Sequence, residues 1–240
     1  MKKLTNVERE LIALLLILVA AVSAHAVQPR APTIITNVST ESPQPAPGYL
    51  LNTSGGTITT ININATTQNP RWKGFVGNID GEFALMDSSL NSLFSWDINS
   101  VTGELYATRN SSTIGWDNIA CASDTLITAE QNSLNITSTS PDSIQNTFSS
   151  STHNGFYVGA VQVTANSCRT ISLNVNNAQQ ASDFQELLLT DGSSLIYTSL
   201  LENSTYGYNN QYYDFQMIVA ENALEGNQPN TPYYFYVELI

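Results

Sequence analysis

From residue 57 onward the chain is a series of short segments rich in Val, Ile, Thr, Tyr and Phe, separated by glycine, asparagine, aspartate and serine. The first group of residues favours strands, and the second favours turns. Between two such segments, Asp191-Gly192 is a strong signal for a tight hairpin. A helical pattern is confined to residues 124–134, with Ser123 or Asp124 as the expected cap.

About ten short strands joined by turns predict an all-β fold. We expect an antiparallel β-sandwich of Greek-key or jelly-roll type with few short helices. Its aromatic C-terminal segment should be buried, because large exposed apolar edges aggregate. The expected strands are residues 57–65, 73–79, 82–86, 103–108, 155–164, 170–175, 184–189, 195–201, 213–220 and 233–240.

The first 26 residues have the pattern of an export signal. Three basic residues precede an uncharged apolar run at residues 11–24, and the small-x-small sequence A-H-A ends at residue 26. This order predicts an N-terminal apolar helix that acts as a secretory signal peptide, cleaved after residue 26. A membrane span needs about 20 apolar residues, so the run is short for one. Because Glu8 and Glu10 lie directly before it, a retained membrane anchor and a pilin-type signal are the alternatives. All three place the rest of the chain outside the cytoplasm, as a secreted or cell-surface protein.

Cys121 and Cys168 are the two cysteines of the chain, and both follow the signal. An even number of cysteines in an exported chain predicts a disulfide. A reactive thiol is the alternative, but the chain has no C-x-x-C motif and no basic residue shortly before Cys121.

Residues 27–48 hold five of the nine prolines, which predicts a semi-rigid extended tail. No second linker follows, so we expect residues 49–240 to form one β-domain. A plain spacer is the simplest role for the tail. A β-prone island within it is an alternative assembly element, because it could pair with the sheet edge of a neighbouring subunit. The island consists of Thr33, Ile34, Ile35, Thr36, Asn37 and Val38.

Composition excludes several classes of protein. The chain has 8 basic and 20 acidic side chains, a net charge of −12 and a sequence pI near 4.3. Nucleic-acid binding needs a basic surface, so we expect no nucleic-acid partner. Three Trp, 11 Tyr and 8 Phe argue against a disordered acidic protein. The chain is poor in Lys and Glu, which argues against a coiled coil. A cation or a basic partner surface is the favoured electrostatic guest.

No catalytic set of residues is evident, and we expect no enzymatic activity. His25 is removed with the signal, so His153 is the remaining histidine for a Ser-His-Asp system. It lies in a polar stretch that predicts a solvated loop, and no G-x-S-x-G elbow accompanies it. Seventeen acidic residues follow Lys73, but no pair stands out as the carboxylates of a glycosidase.

We expect no cofactor, although calcium is an alternative. Four zinc ligands cannot be assembled, and no phosphate-binding glycine loop is present. Acidic side chains are densest at Asp80, Glu82 and Asp87, which makes them a calcium candidate. Asp80-Gly81 is also an ordinary turn signal.

Aromatic side chains give a second candidate site. Trp72, Trp96 and Trp116, together with the tyrosines of residues 204–213, could stack on sugar rings. Trp96-Asp97 and Trp116-Asp117 recur along the chain, and we favour core positions for these two tryptophans.

Six N-x-S/T sequons are candidates for glycosylation, about as many as the composition gives by chance. With 51 Ser plus Thr and 25 Asn, the hydroxyl-rich, weakly charged composition is the better argument for a glycosylated surface. The sequons begin at Asn37, Asn52, Asn64, Asn110, Asn135 and Asn203.

Three stretches of the chain resemble a group of exported, β-rich surface proteins of archaea that have no established activity. The stretches are GGTITTININATTQNPRWKGFVGNIDGEFALMD at residues 55–87, TGELYATRNSS at 102–112 and YDFQMIVAENALEGNQPNTPYYFYVELI at 213–240. The resemblance implies an envelope or extracellular setting and supplies no catalytic residues. An exported β-domain behind an extended tail also resembles the subunits of archaeal surface filaments that are held together by donated strands.

We therefore expect an extracellular or cell-surface structural or interaction protein, which could assemble into a filament or surface layer through its tail. Its expected partners are further copies of itself, other cell-surface proteins or glycans, and the membrane only if the N-terminal segment is not cleaved. A secreted carbohydrate-binding module is the alternative, and an extracellular hydrolase is less favoured.

Overall fold

The computed structural model describes residues 27–44, 47–222 and 230–240. The expected N-terminal helix and signal segment lie outside these residues. The described part of the chain is mostly strands in antiparallel sheets, with two short helices. The expectation of an all-β fold is confirmed.

The strands are β1 (Trp72–Gly77), β2 (Glu82–Met86), β3 (Ser92–Asp97), β4 (Gly103–Thr108), β5 (Ala120–Cys121), β6 (Phe156–Val158), β7 (Val161–Val163), β8 (Thr170–Ser172), β9 (Gln185–Thr190), β10 (Leu195–Leu200), β11 (Thr205–Tyr206), β12 (Tyr212–Tyr213), β13 (Phe215–Ala220) and β14 (Tyr234–Leu239). The helices are α1 (Asp124–Ser133) and α2 (Ile144–Thr147), and a 3₁₀ turn spans Trp116–Asn118.

A six-stranded sheet forms the centre of the molecule. Five strands follow the order β14-β4-β10-β9-β5, and β8 also pairs with β9. All of the neighbouring strands in this sheet are antiparallel. The β9–β10 hairpin turns at the predicted residues, where Asp191 Oδ1 accepts hydrogen bonds from the backbone N–H of Ser193 (3.0 Å) and Ser194 (2.8 Å). Gly192 has φ +95°, a conformation that favours glycine.

Both faces of this sheet are buried, because successive side chains of a strand point to opposite faces. On β4, Leu105 and Ala107 enter one core, and Tyr106 enters the other. We call these the first core and the second core. The first core also contains Ile127, Ile136, Ile144, Phe148, Leu188, Tyr197, Met217 and Val219; the second contains Trp116, Ile119, Phe156, Val158, Val163, Cys168, Leu187, Leu189 and Ile196.

Two elements cover the first core. Helix α1 begins after Ser123, whose side chain accepts a hydrogen bond from the Leu126 N–H (3.3 Å), as the sequence predicts. It buries Ile127 against the sheet. Strands β1 and β13 form a separate antiparallel pair, from which Met217 and Val219 enter the same core.

Two expected strands differ from the structure. Residues 155–164 form the short hairpin β6–β7 instead of one strand, because the chain reverses at Gly159 (φ +54°). Residues 57–65 are extended and exposed but join no sheet, so the predicted strand there is wrong for this chain on its own. A period-two pattern predicts the extended backbone, but a strand also needs a partner, which the pattern does not supply.

The described residues between 31 and 71 join no sheet, so from here on we call residues 27–71 the tail. It is held at its two ends. Near its start, the Arg30 N–H donates to the Val237 carbonyl (2.9 Å), and the Val237 N–H donates back to Arg30 (2.8 Å), at the outer edge of β14. Pro32 is the next residue that would face β14, and it has no N–H to donate, so the pairing ends. Where the tail meets β1, Asp142 accepts hydrogen bonds from Asn69 (3.0 Å) and Arg71 (2.9 Å).

Candidate assembly surface

The β2–β3 hairpin is amphipathic, and its apolar face is bare. The register places Phe83 opposite Trp96, and Leu85 opposite Phe94. Side chains two residues apart on a strand share a face, and the rings of Phe94 and Trp96 are in edge contact with centroids 4.8 Å apart. These four side chains therefore form one apolar face, which we call the hairpin face.

Every member of the hairpin face is about half exposed. Exposure is 43% for Phe83, 55% for Leu85, 56% for Phe94 and 52% for Trp96. None of the four belongs to either core. Since an isolated two-stranded hairpin is at best marginally stable in water, a partner on this face would stabilise it.

Asp87 holds the turn of the hairpin. Its carboxylate accepts hydrogen bonds from the Asn91 side chain (2.9 Å), the Asn91 N–H (2.9 Å) and the Ser89 N–H (2.8 Å). These bonds, with the Asn91 bonds the strongest, lower the pKa of Asp87. The hairpin is thus shaped by its own turn and not by packing against the rest of the molecule.

The tail presents a second unpaired apolar segment at residues 57–65. Ile58 is 100% exposed, Ile63 is 77% exposed and Ile61 is 49% exposed. Ile61 and Ile63 lie two residues apart, so an extended backbone places them on one side with Asn62 between them on the other. A turn precedes this segment, with Gly56 at φ +75°.

The assembly island Thr33–Val38 is also extended and exposed. Exposure is 78% for Ile34, 66% for Ile35 and 92% for Val38. No described residue of the chain pairs with this island. Its pairing with a neighbouring subunit stays a prediction.

The three tryptophans occupy different environments. Trp116 is buried in the second core, with its ring 5.1 Å from Tyr106 and 5.3 Å from Tyr236. Trp72 is half-buried, packs on Phe148 and donates from Nε1 to a backbone carbonyl (2.9 Å). Trp96 lies on the exposed hairpin face. The core position that we favoured is confirmed for Trp116 and wrong for Trp96, because nothing in the sequence distinguishes a core strand from a projecting one.

The tyrosines of residues 204–213 form the small hairpin β11–β12. Tyr206 and Tyr212 are stacked with ring centroids 4.2 Å apart, and both are about half exposed. Tyr208 and Tyr213 stack at 6.2 Å. Exposed flat rings of this kind can stack on a sugar, so this hairpin is the better placed of the aromatic candidates for a sugar platform.

The acidic candidates for calcium are spread around the root and tip of the β2–β3 hairpin. Asp80 lines an open polar cleft of about 400 Å³ together with Asp97 and Asp214. Glu82 begins β2, and Asp87 caps the turn at the tip. In the part of the chain that the structure describes, no three His, Cys, Asp or Glu side chains are grouped to hold a metal ion.

The predicted disulfide between Cys121 and Cys168 is present, with Cα atoms 5.0 Å apart. Beside it lies His153, which is buried rather than solvated as we expected. Its Nε2 accepts hydrogen bonds from the Ser167 N–H (3.1 Å) and the Cys168 N–H (3.0 Å), and Nδ1 donates to the Asn154 carbonyl (2.7 Å). The histidine therefore fixes the loop that carries Cys168, and both ring nitrogens are used in doing so.

A pair of buried carboxyl groups was not evident in the sequence. Glu104 and Glu238 lie opposite each other on β4 and β14, on the second-core side, and are 3% and 5% exposed. Glu238 accepts hydrogen bonds from the Gly159 N–H (2.9 Å) and the Tyr106 hydroxyl (3.1 Å). Burial, together with the nearby charge of Glu238, raises the pKa of Glu104 to about 8. The two-residue period of β4 and of β14 could have indicated the face on which each glutamate lies. The sequence does not show that these two strands pair, so it could not bring the two glutamates together.

The six sequon asparagines are mostly accessible. Asn110 is the exception, since it is half-buried and its side chain donates to Ser194 (2.8 Å) and accepts from the Ser112 N–H (2.8 Å). The exposed ones are Asn37, Asn52, Asn64, Asn135 and Asn203.

No protein-family model matches the chain, and no curated protein or solved structure is similar to it. Within residues 27–44, 47–222 and 230–240, each helix is too short or too polar to cross a bilayer.

Proposed function

We propose that this chain is an extracellular or cell-surface structural protein that associates with further copies of itself through its N-terminal tail. The observation that carries the proposal is the tail itself: residues 31–44 and 47–68 are exposed apart from the half-buried Pro32, and they join no sheet of the described chain. Holding so long a segment in one conformation costs about 1–2 kcal/mol of conformational entropy per residue. Docking on a neighbour would offset this cost by burying apolar residues such as Ile34 and Val38.

The open edge of the central sheet supports the same proposal. Strand β14 is the edge strand, and Arg30 pairs with it only at Val237. On this outer edge, the backbone groups of the flanking residues Phe235 and Leu239 have no hydrogen-bond partner among the described residues. A strand from a neighbour could add there, since edge strands accept extended segments through backbone hydrogen bonds.

The proposal takes the body of the protein to be a β-sandwich. Strand pair β1–β13 packs against the central sheet through Met217 and Val219. A rigid sandwich with a free extended tail suits a building block of a filament or surface layer. Its export through the N-terminal signal and its glycosylation at exposed sequons belong to the same proposal.

The experiment is assembly of the chain that begins at Val27, the product of the expected cleavage. Negative-stain electron microscopy and light scattering over a range of concentrations should show ordered multimers. Changing Ile34, Ile35 and Val38 to Ser should weaken assembly at least tenfold, because each loses an apolar contact. The matched control changes Thr33, Thr36 and Ser39 to Ala. A chain that stays monomeric at every concentration tested would overturn the proposal.

A secreted carbohydrate-binding module is the second candidate, favoured by the stacked and exposed Tyr206 and Tyr212. We expect any sugar binding to be lost in Tyr212→Ala and retained in Tyr157→Ala, which removes an exposed tyrosine on β6. Absence of binding on a glycan array at high protein concentration would exclude this function.

A further inference from the structure

The hairpin face needs a cover that the described chain does not provide. Its four large side chains are about half exposed. Side chains of this size bury about 150–250 Å² each when fully covered, so the face leaves about 400 Å² of apolar surface in water. The largest apolar patch on a typical monomer is about this size and is often functional.

A segment that fits this face exists in the same sequence. Residues 57–65 are extended, carry Ile61 and Ile63 on one side and pair with no strand in the described part of the chain. Two isoleucines two residues apart match the spacing of Leu85 and Phe83, or of Phe94 and Trp96, along the hairpin strands. The apolar side of the segment would meet the apolar side of the hairpin, and Asn62 and Asn64 would stay in water.

The charge distribution favours contact between residues 57–65 of one copy and the hairpin face of another copy. The chain carries a net charge of −12, so two copies repel each other over most of their surface. Between Glu41 and Arg71 there is no charged residue, and residues 88–96 of the hairpin are also uncharged. Because residues 57–65 are uncharged, joining them to the hairpin brings no like charges together, although Glu82, Asp87 and Asp97 lie beside the hairpin face.

The chain's own tail is poorly placed to cover its own hairpin. Asn69 and Arg71 are tied to Asp142 before β1 begins, whereas the hairpin leaves from the other end of β1. A six-residue strand spans about 17–20 Å. Residues 57–65 would have to turn back at once and run along the whole of β1 to reach the hairpin of the same chain.

From these observations we infer that residues 57–65 of one copy dock on the hairpin face of a second copy, with Ile63 against Leu85 and Ile61 against Phe83. This inference rests on the proposed self-assembly and names the two surfaces that meet. The contact is heterologous, because it joins different surfaces of identical chains. Such contacts form rings when the rotation closes and filaments when it does not.

Disulfide trapping tests the contact. Chains that begin at Val27 and carry either Ile63→Cys or Leu85→Cys are mixed and oxidised; both native cysteines are already paired, so only the new thiols react. We expect a cross-linked heterodimer at least five times more abundant than in the control mixture of Ile63→Cys with Ser193→Cys. Ser193 is an exposed turn residue at the opposite end of the central sheet.

A second measurement separates this inference from the proposed function. Sedimentation should show at least tenfold weaker association for I61N/I63N than for N62S/N64S, because only the former loses apolar contact. If I61N/I63N still assembles and the mixture of Ile63→Cys with Leu85→Cys gives no excess cross-link, the docking contact is overturned and self-assembly stands. A cross-link that forms only when one chain carries both new cysteines shows that the tail covers its own hairpin, and also overturns the inference. If the unsubstituted chain does not assemble at all, the proposed function fails, and the docking contact fails with it.

Discussion

Glu104 is a carboxyl group that folding keeps protonated near neutral pH. Its pKa is raised to about 8, mainly by burial and then by Glu238. Glu186, fully buried on β9, also has a raised pKa, because burial disfavours its charged form. A carboxyl group whose pKa is higher in the folded state stabilises the fold at low pH, and this stability is lost as the pH rises through the folded value.

The protein should therefore be more stable at pH 5 than at pH 8.5. Each unit of pKa difference is worth about 1.4 kcal/mol, so the free energy of unfolding should fall by a few kcal/mol over this interval. Glu104→Gln, which is neutral at every pH, should flatten the dependence, whereas Glu82→Gln on the exposed start of β2 should not. Urea denaturation at several pH values measures the effect, and parallel curves for the two variants would contradict it.

His153 gives a second prediction at the residue scale. His153→Ala leaves the buried Cys168 N–H without its acceptor. An unsatisfied buried group costs about 1–3 kcal/mol, so we expect a loss of about 2 kcal/mol in the free energy of unfolding. Thr152→Ala, in the exposed neighbouring position, is the control and should change stability little. Equal stability of the two variants would show that the histidine does not hold this loop.

Among the elements, the disulfide joins β5 to the loop before β8. Cys121 and Cys168 are 47 residues apart. Closing a loop of that length stabilises the fold by about 4 kcal/mol in the chain-entropy model. Reduction by dithiothreitol should lower the urea midpoint accordingly. A shift equivalent to less than about 1 kcal/mol would mean that the surrounding packing, not the cross-link, holds the loop.

The two Trp-Asp sequences lie in elements with different roles, which predicts opposite effects of substitution. Trp116→Ala removes a ring from the second core and should cost about 3–5 kcal/mol. Trp96→Ala removes a ring from the exposed hairpin face and should change the stability of the dilute monomer by less than about 1 kcal/mol. In the same dilute protein, iodide should quench the fluorescence of Trp96 preferentially. Equal losses of stability would show that the hairpin packs on the body.

At the scale of the whole molecule, charge should control the proposed association. Residues 27–240 carry 18 acidic and 5 basic side chains. Copies repel at low salt, and the Debye length shortens to about 8 Å at 0.15 M ionic strength. We therefore expect self-association to strengthen as sodium chloride is raised from about 10 to about 300 mM, because the repulsion between the acidic copies is increasingly screened over this range. Light scattering measures this, and weaker association at high salt would indicate an interface held by ion pairs.

Local signals determined much of the fold. The boundaries of β2 and β4, the cap of α1 and the turn at Gly192 agree with the sequence, because each depends on residues that are neighbours in the chain. The disulfide could also be predicted, since the chain has only two cysteines. Strand β3 was missed, because Ser92, Ser95 and Asp97 within it are residue types that favour turns.

The sequence by itself determined an acidic, β-rich chain whose two cysteines can pair, and it predicts an export signal and an extended tail. Only the tertiary structure decided which apolar residues are buried. It places Trp116 in a core and Trp96 in water, leaves residues 57–65 without a sheet, and pairs Glu104 with Glu238. The physical reason is that alternation fixes the faces of a strand, whereas burial depends on the strands beside it, which come from distant parts of the chain.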